Sequence, residues 1–357
     1  MTKVRYALVG FGGIAENRVA KEGYACDRGR FPRQLPHATL VGATDLNPAR
    51  QAAAEALGLR WYPDLDAVLA DPAVEGVYIA TNNASHAKIA TAALRAGKHV
   101  IVEKPIATSI ADAKAMNRLA KARGLSLTVD HMMVNNAWTI AAKTAVAKGR
   151  LGAVNDCCFH MEFAYGYDPA EAATWRCSKV EEMGGPIGDV ASHCFYVAEF
   201  LLGKRIAKVA AVYYPKIMKI KAEDGAYIKF FFDDGTQGSV NAAFSELRGG
   251  GVGTLTNLGY EVYGTTAALR GYGTMFQLSG HPGEPIAQRV EIDNGKTVKC
   301  LPPSRIQNIY QTLIDGHAKS VRDGKPLTAD DAVHNLALCA ASHESARKGG
   351  KVVTVRD

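Results

Sequence analysis

The sequence of 357 residues lacks the long apolar runs that place a protein in a membrane. No stretch approaches the ~20 consecutive apolar residues that a membrane-spanning helix needs. The first apolar stretch, Val4–Val9, is too short and wrongly flanked for a secretory signal peptide. We therefore expect a cytoplasmic protein with no membrane partner.

Cysteine occurs without the spacing that would give it a structural role. The seven cysteines form an odd set with no Cys-x-x-Cys pattern. This pattern favours reduced, mostly buried thiols in a reducing compartment. We expect neither a disulfide framework nor a metal site.

A concentrated basic patch is also missing, although the net charge is +7. Basic residues such as Lys114, Arg118 and Lys121 are spread along predicted helices. A nucleic-acid-binding protein would gather them into a patch or stripe. We expect no nucleic-acid partner, and the excess charge suits a site for an anionic cofactor.

Short apolar strands alternate with amphipathic helices in the first part of the chain. This order predicts an α/β domain with a parallel sheet covered on both faces. Gly23–Pro36, rich in charge, glycine and proline, interrupts the alternation and predicts an inserted surface loop. The predicted strands are Val4–Val9, Thr39–Thr44, Gly76–Ala80, His99–Val102 and Leu125–Val129.

The second part of the chain has longer alternating runs separated by tight turns. Asp234-Gly235 and Asn294-Gly295 supply the positive φ angles that hairpins require, so this part predicts an antiparallel sheet. A single core rarely extends beyond ~250–300 residues. We therefore predict two domains, a dinucleotide-binding domain at 1–130 and a substrate-binding domain at 131–357.

A glycine-rich turn follows the first predicted strand and opens a helix. Its spacing, G-x-G-x-x-A, allows a tight turn, a close approach of backbone to a pyrophosphate, and helix–strand packing. Phosphates at this position would meet the free N–H groups of a helix N-terminus. The predicted cofactor contacts here are Gly10, Phe11, Gly12, Gly13 and Ile14.

Asp45 stands at the end of the second predicted strand. A carboxylate at this point can bind the ribose hydroxyls and would repel a 2′-phosphate, which favours NAD over NADP. An alternative is that Asp45 only starts the next helix, with Pro48 in its first turn. Arg50 nearby keeps NADP open.

Polar residues follow the third, fourth and fifth predicted strands. Ligands bind outside the carboxyl ends of the strands in an open α/β sheet, so these residues should line one edge. For any one of them, helix capping or a surface ion pair is an equal alternative. The residues are Thr81, Asn82 and His86 after the third strand, Glu103 and Lys104 after the fourth, and Asp130 and His131 after the fifth.

A second glycine-rich run, Gly184-Gly185-Pro186-Ile187-Gly188, introduces an apolar helix that we expect to end at Gly203. Asp189 and His193 are four residues apart, so they share one face of this helix near its N-terminus. The positive end of the helix dipole favours a neutral imidazole, as a general base requires. The alternative is a buried structural histidine bonded to a carboxylate.

These motifs together resemble the glucose–fructose oxidoreductase / inositol dehydrogenase / MocA family. The resemblance rests on the glycine turn, Thr81-Asn82, Glu103-Lys104-Pro105, Trp175-Arg176 and the Asp189–His193 spacing. It implies a Rossmann domain followed by an α/β domain with a large, mostly antiparallel, open-faced sheet. It also implies a homodimer or homotetramer formed through that sheet.

Carried over by residue, the resemblance implies that Lys104, Asp189 and His193 are catalytic. His193 would accept the hydroxyl proton of a sugar or cyclic polyol, and Lys104 would polarise the same oxygen. The resemblance also implies a cis peptide before Pro105. Trp175, Arg176 and Glu103 would contribute to the NAD(P) site.

Three departures from the family pattern concern the substrate. Ala191 replaces a frequent glycine, Val197 replaces a frequent aspartate, and the loop 130–136 lacks a common arginine. Asp130 and His131 could contact a sugar or could be structural. We therefore keep two alternatives open: an enzyme that uses tightly bound NAD transiently to cleave or epimerise a glycoside, and a non-catalytic dinucleotide-sensing regulator.

Overall fold

The chain divides into two compact units in a computed structural model that describes residues 2–27, 34–246 and 257–357. The first unit comprises Met1–Met132 and Asn308–Val333, and the second comprises Met133–Gln307 and His334–Asp357. Asn308–Val333 therefore belongs to the first unit, although it lies far beyond the predicted boundary at residue 130. Residues 28–33 of the predicted Gly23–Pro36 insertion lie outside the described residues.

The first unit contains a six-stranded parallel sheet. Apart from the short edge strand β3, its strands are mostly buried on both faces, which explains their nearly continuous apolar sequence. The order β3-β2-β1-β4-β5-β6 is that of a dinucleotide-binding Rossmann sheet, so the predicted doubly wound fold is confirmed. The strands are β1 (Val4–Val9), β2 (Ala38–Thr44), β3 (Arg60–Trp61), β4 (Gly76–Ile79), β5 (His99–Val102) and β6 (Leu127–Val129).

Helices connect these strands, and short polar side chains fix where several of them begin. Asp64 accepts the N–H of Ala67, and Ser109 accepts the N–H of Asp112, as N-caps do. The connections are a π-helix (Ala15–Gly23), a 3₁₀ turn (Pro48–Arg50), α1 (Gln51–Ala56), α2 (Leu65–Ala70), α3 (Asn83–Arg95) and α4 (Ile110–Ala122).

The second unit contains a nine-stranded sheet in the order β14-β13-β12-β11-β7-β10-β9-β8-β15. Among the described strands of this sheet, only β7 and β10 pair in parallel, so the predicted mostly antiparallel sheet is confirmed. Gly235 and Gly295 have φ angles of 88° and 78° in the two predicted hairpin turns. The strands are β7 (Val154–Glu162), β8 (Ile206–Tyr213), β9 (Gly225–Phe232), β10 (Gln237–Ala243), β11 (Leu258–Gly264), β12 (Ala268–Tyr272), β13 (Arg289–Asp293), β14 (Val298–Leu301) and β15 (Val353–Thr354).

Helices of the second unit cover one face of this sheet. Phe195 packs edge-on against Phe230 on that face, with ring centroids 6.3 Å apart. The opposite face carries Tyr227, which is 57% exposed, so the sheet is open-faced as expected. The helical segments before β8 are a 3₁₀ turn (Met132–Asn135), α5 (Ala137–Ala147), α6 (Pro169–Ala172), α7 (Trp175–Ser178), a 3₁₀ turn (Val180–Glu182), a π-turn (Ile187–Ala191) and α8 (Ser192–Leu202).

Two further helices, α9 (Ile309–Arg322) and α10 (Asp330–Arg347), follow the second sheet. Helix α9 belongs to the first unit, where the Tyr6 hydroxyl lies 2.7 Å from His317 Nδ1. Gly23 leaves room for this helix, because a Cβ there would lie 2.8 Å from Ile314. The division between the units falls within α10.

Candidate functional site

The glycine loop after β1 is closed on one side and open on the other. Gly10 has a φ of 87°, and a Cβ there would lie 2.8 Å from the carbonyl oxygen of Ala80. At Gly12 and Gly13, by contrast, an added Cβ would meet nothing within 4 Å. The loop therefore presents bare backbone to open space at a helix N-terminus, which fits the pyrophosphate of a dinucleotide.

Asp45 is held against this loop by backbone hydrogen bonds. The Phe11 N–H donates to Asp45 Oδ2 at 2.6 Å, and the Asn47 N–H donates to Oδ1 at 2.8 Å. Each carboxylate oxygen retains a second lone pair that can accept a ribose hydroxyl. Asp45 thus lies beside the glycine loop, as a ribose-binding carboxylate must.

Arg50 is also tied to the loop, through the backbone and a neighbouring carboxylate. Its Nε donates to the Phe11 carbonyl oxygen at 2.7 Å, and its guanidinium forms an ion pair with Glu16. A hydrogen bond from Lys21, and secondarily one from Arg50, holds the pKa of Glu16 below its usual range. Because Glu16 partly neutralises Arg50, this arginine is less suited to bind a 2′-phosphate.

The segment after β4 joins two loops through His86. This side chain is fully buried, with Nδ1 2.8 Å from the Pro105 carbonyl oxygen and Nε2 3.3 Å from that of Thr81. Burial lowers the pKa of His86, and the charge of Lys104 adds to the effect. His86 therefore positions the loops that carry Thr81 and Lys104, while its direct contact with a cofactor stays a prediction.

Neighbouring loops bring Lys104 close to two buried residues of the same unit, His86 and His131. The Lys104–Pro105 peptide bond is cis, as the family resemblance implied. Burial lowers the pKa of His131 to about 4; Asp331 opposes this effect and Lys104 adds to it. His131 is therefore neutral at physiological pH.

Asp130 belongs to a buried cluster that also contains Tyr78 and Glu103. The Tyr78 hydroxyl donates to Asp130 Oδ2 and lies 3.3 Å from Glu103 Oε1. Burial and the charge of Glu103 raise the pKa of Asp130. Because Asp130 is fully buried, this arrangement favours support of the loop. A substrate contact for Asp130 or His131 stays a prediction.

The second glycine-rich run is packed closely by other parts of the second unit. A Cβ at Gly184 would lie 2.7 Å from the Trp175 carbonyl oxygen, and one at Gly188 would lie 2.1 Å from that of Met183. This run leads through the π-turn into α8, which ends at Gly203 with a φ of 64°. The predicted helix and its end are confirmed.

Asp189 and His193 both lie at the start of this helix and are 9% and 3% exposed. Arg176 Nε donates to Asp189 Oδ2 at 3.2 Å, and the Arg176 guanidinium stacks on Trp175 at 4.7 Å. The π-turn at Ile187–Ala191 is of a kind frequent at functional sites. The second unit thus pairs a carboxylate with a guanidinium, and His193 follows Asp189 by four residues.

The predicted catalytic residues belong to different units. Lys104 lies in the first unit, whereas Asp189 and His193 lie in the second. Each unit therefore supplies one part of the predicted catalytic set. A contact between Lys104 and His193 stays a prediction.

Two residues that sequence reasoning did not select lie next to predicted ones. Leu46, directly after Asp45, is an apolar side chain and is fully exposed. Its position in the sequence could have indicated an apolar contact for a cofactor ring. Glu223 bonds the backbone of Ile187 across 36 positions of the chain, a separation at which no local pattern could reveal the contact.

Two other features are absent from the described residues. No group of three or more His, Cys, Asp or Glu side chains there is arranged to hold a metal ion. No helix in those ranges is long and apolar enough to cross a membrane.

Two family models match consecutive parts of the chain. Residues 4–131 match the GFO/IDH/MocA model, described as an oxidoreductase family with an NAD-binding Rossmann fold. Residues 139–270 match a model of the GFO/IDH/MocA C-terminal domain.

Individual proteins of known name or structure are similar over most of the chain. A 1,5-anhydro-D-fructose reductase of Ensifer adhaerens is 30% identical, covering 80% of this chain and 81% of that protein. A scyllo-inositol 2-dehydrogenase (NAD(+)) of Bacillus subtilis (strain 168) is 27% identical, covering 97% and 95%. The crystal structure of an aldose-aldose oxidoreductase from Caulobacter crescentus, complexed with glycerol, superimposes with a TM-score of 0.83 at 23% identity, covering 99% of both chains.

Proposed function

The chain belongs to the GFO/IDH/MocA oxidoreductase family, and from this premise we propose that it oxidises a secondary alcohol of a sugar, sugar derivative or cyclic polyol with NAD(P). The observation that carries the proposal is the ion pair between Arg176 and Asp189 at the start of the helix that also carries His193. A protein that only sensed a dinucleotide would not need this acid–base group.

The first unit fits a nicotinamide dinucleotide through its open glycine loop. Backbone at Gly12 and Gly13 would receive the pyrophosphate, and Asp45 would bind the ribose hydroxyls. When bound, the cofactor accepts a hydride from the substrate carbon. We propose NAD as the preferred form, because Asp45 repels a 2′-phosphate and Arg50 is paired with Glu16. Further proposed contacts are Phe11, Ile14, Thr81, Asn82, Glu103, Lys104, Trp175 and Arg176.

His193 is the proposed general base. It lies near the positive end of its helix, which disfavours the imidazolium form and keeps the ring able to accept a proton. Asp189 orients the base and is itself held by Arg176. Lys104 donates a hydrogen bond to the reacting oxygen and stabilises its developing negative charge.

The names of the relatives support the proposed substrate class. Anhydrofructose and scyllo-inositol both present ring-borne alcohol or carbonyl groups, and the relatives named for them cover four-fifths or more of this chain. A panel of sugars and cyclic polyols with NAD and with NADP, followed by nicotinamide absorbance, tests the proposal. Substrate conversion without net NADH would indicate transient use of bound cofactor. Dinucleotide binding without any conversion would indicate a regulator.

We also propose a cytoplasmic homodimer or homotetramer formed through the open face of the second sheet. All seven cysteines lie within the described residues and none of them forms a disulfide, as suits a reducing compartment. Val212 and Tyr227 are exposed on strands of that sheet. Tyr227→Glu should lower the molar mass measured by light scattering, and an unchanged mass would place the interface elsewhere.

A further inference from the structure

A carboxyl group lies against the N-terminus of the helix that carries Asp189 and His193. The Ile187 N–H donates to Glu223 Oε1 at 2.9 Å. The first N–H groups of a helix have no partner within the helix and must find one elsewhere. Glu223 supplies that partner at the first residue of the π-turn.

Gly185 and Glu223 fit each other closely. A Cβ at Gly185 would lie 2.5 Å from Glu223 Oε2 and 2.6 Å from Oε1, so any larger residue would displace the carboxyl group. Gly185 also has a φ of 86°, which L residues rarely adopt. The glycine thus provides both the chain reversal and the space for the carboxyl group.

The loop that presents Glu223 is itself fixed in the second unit. Asp224 accepts the N–H groups of Ile217 at 2.6 Å and Met218 at 2.7 Å, and it pairs with Lys216. The N–H of Ala222 donates to the Cys177 carbonyl oxygen at 3.0 Å. Cys177 directly follows Arg176, so the loop also bonds the short helix whose arginine pairs with Asp189.

We propose that Glu223 is a positioning residue that fixes the first turn of this helix and so orients Asp189 and His193 for proton transfer. The inference rests on the proposed function, since orientation matters only if these side chains act on a substrate. The hydrogen bond between Glu223 and the Ile187 N–H would then serve function as well as stability.

The surroundings of Glu223 have opposing effects on its pKa. Burial raises the pKa of Glu223 to about 7; the Ile187 N–H and Lys216 lower it, and Asp224 raises it. Burial, and after it the charge of Glu223, raises the pKa of Tyr213. A neutral carboxyl oxygen accepts the Ile187 N–H as a carboxylate oxygen does. Gln is therefore the conservative replacement, and Ala removes the acceptor.

The test compares E223Q and E223A with the wild type, and uses E291Q on β13 as the matched control. Without cofactor, we expect hydrogen exchange of residues 184–193 to be about tenfold faster in E223A and unchanged in the other variants. With cofactor and substrate, we expect kcat of E223A to fall on the order of 10²-fold with little change in KM. E223Q should retain most of the wild-type kcat.

A spectroscopic measurement on the protein without cofactor gives an independent readout. The Ile187 amide resonance should shift with pH around a midpoint near 7 in the wild type, following the carboxyl group that it bonds. It should not titrate in E223Q. If E223A does not fold, Glu223→Asp, whose carboxyl group is one methylene shorter, takes its place.

Two results would overturn the inference: wild-type exchange in E223A, or faster exchange with unchanged kcat, which would make Glu223 purely structural. A wild-type protein that oxidises none of the alcohols would refute the proposed function instead. The exchange and amide measurements would still show whether Glu223 fixes the turn.

Discussion

Each unit contains one glycine-rich segment, Gly10–Gly13 in the first and Gly184–Gly188 in the second. The absence of a side chain has opposite consequences in the two segments. At Gly12 and Gly13 an added Cβ would meet nothing within 4 Å, so the first segment is open to a ligand. At Gly184 and Gly188 the same atom would lie 2.7 and 2.1 Å from backbone carbonyl oxygens. The second segment is closed, and its glycines allow the protein to pack against itself.

The difference shows what a glycine motif does and does not predict. Glycine permits a close approach of backbone, but the approaching group can be a phosphate or another part of the chain. In the first unit this freedom leaves room for a cofactor. In the second it holds Asp189 and His193 at the start of a tightly packed helix.

The largest expected effect concerns the two proposed catalytic side chains, His193 in the second unit and Lys104 in the first. His193→Ala should reduce kcat by about 10²–10⁴-fold, because it removes the general base. Lys104→Ala should do the same through loss of oxyanion stabilisation. Cofactor affinity, measured by fluorescence titration, should change little for His193→Ala. Near wild-type turnover in this variant would refute the assigned base.

Exchanging the same substitution between the two segments should give opposite defects. Gly188→Ala forces a Cβ against the Met183 carbonyl oxygen and should destabilise the protein by about 3 kcal/mol. Gly12→Ala should leave stability unchanged and weaken NAD binding by at least about tenfold. Thermal melts and NAD titrations of both variants separate these outcomes.

The control for this pair is Gly58→Ala, in a turn where a Cβ also meets nothing within 4 Å. Its φ of 75° imposes backbone strain alone, without a close contact or a ligand. If Gly12→Ala melted as early as Gly188→Ala, the first segment would be closed by packing too. The contrast between the segments would then fail.

A smaller effect is expected at the carboxylate beside the open segment. Asp45→Ser removes the charge that disfavours a 2′-phosphate, so the ratio of kcat/KM for NAD to that for NADP should fall about tenfold. Arg50→Ala is the matched control, because that arginine is paired with Glu16. A ratio unchanged by Asp45→Ser would mean that Asp45 only closes the loop.

The parallel sheet could be predicted because its evidence is local. Each buried strand is a short apolar run, and the glycine turn follows the first strand directly. The membership of α9 in the first unit could not be predicted in this way. It depends on contacts such as Tyr6 with His317, whose residues are 311 positions apart.

The candidate site was predictable to a similar extent. The sequence placed Asp189 and His193 on one helix because their spacing is a local property. It offered no signal for Glu223, since a hydrogen bond to a backbone N–H constrains no residue type near Ile187. Asp130 illustrates an alternative that the sequence left open: its place at a strand end suggested a ligand contact, which stays a prediction, whereas burial beside Tyr78 favours loop support.

The smallest expected effect concerns Glu223, whose carboxyl group accepts a hydrogen bond from the closed segment. It tests whether this carboxyl group lowers the stability of the folded protein. The pKa of Glu223 is raised to about 7 in the folded protein, so the native state binds the proton more tightly than the unfolded state. Its contribution to stability therefore falls as pH rises from the usual carboxyl pKa through 7. E223Q avoids this loss and should exceed the wild type by about 1–2 kcal/mol near pH 8, with no gain near pH 4.5. Denaturant unfolding at both pH values measures the difference, with E291Q as the control. If E223Q and the wild type were equally stable at high pH, Glu223 would carry its charge without penalty. A more stable E223Q with a changed pH profile of kcat would instead identify Glu223 as a residue kept for function.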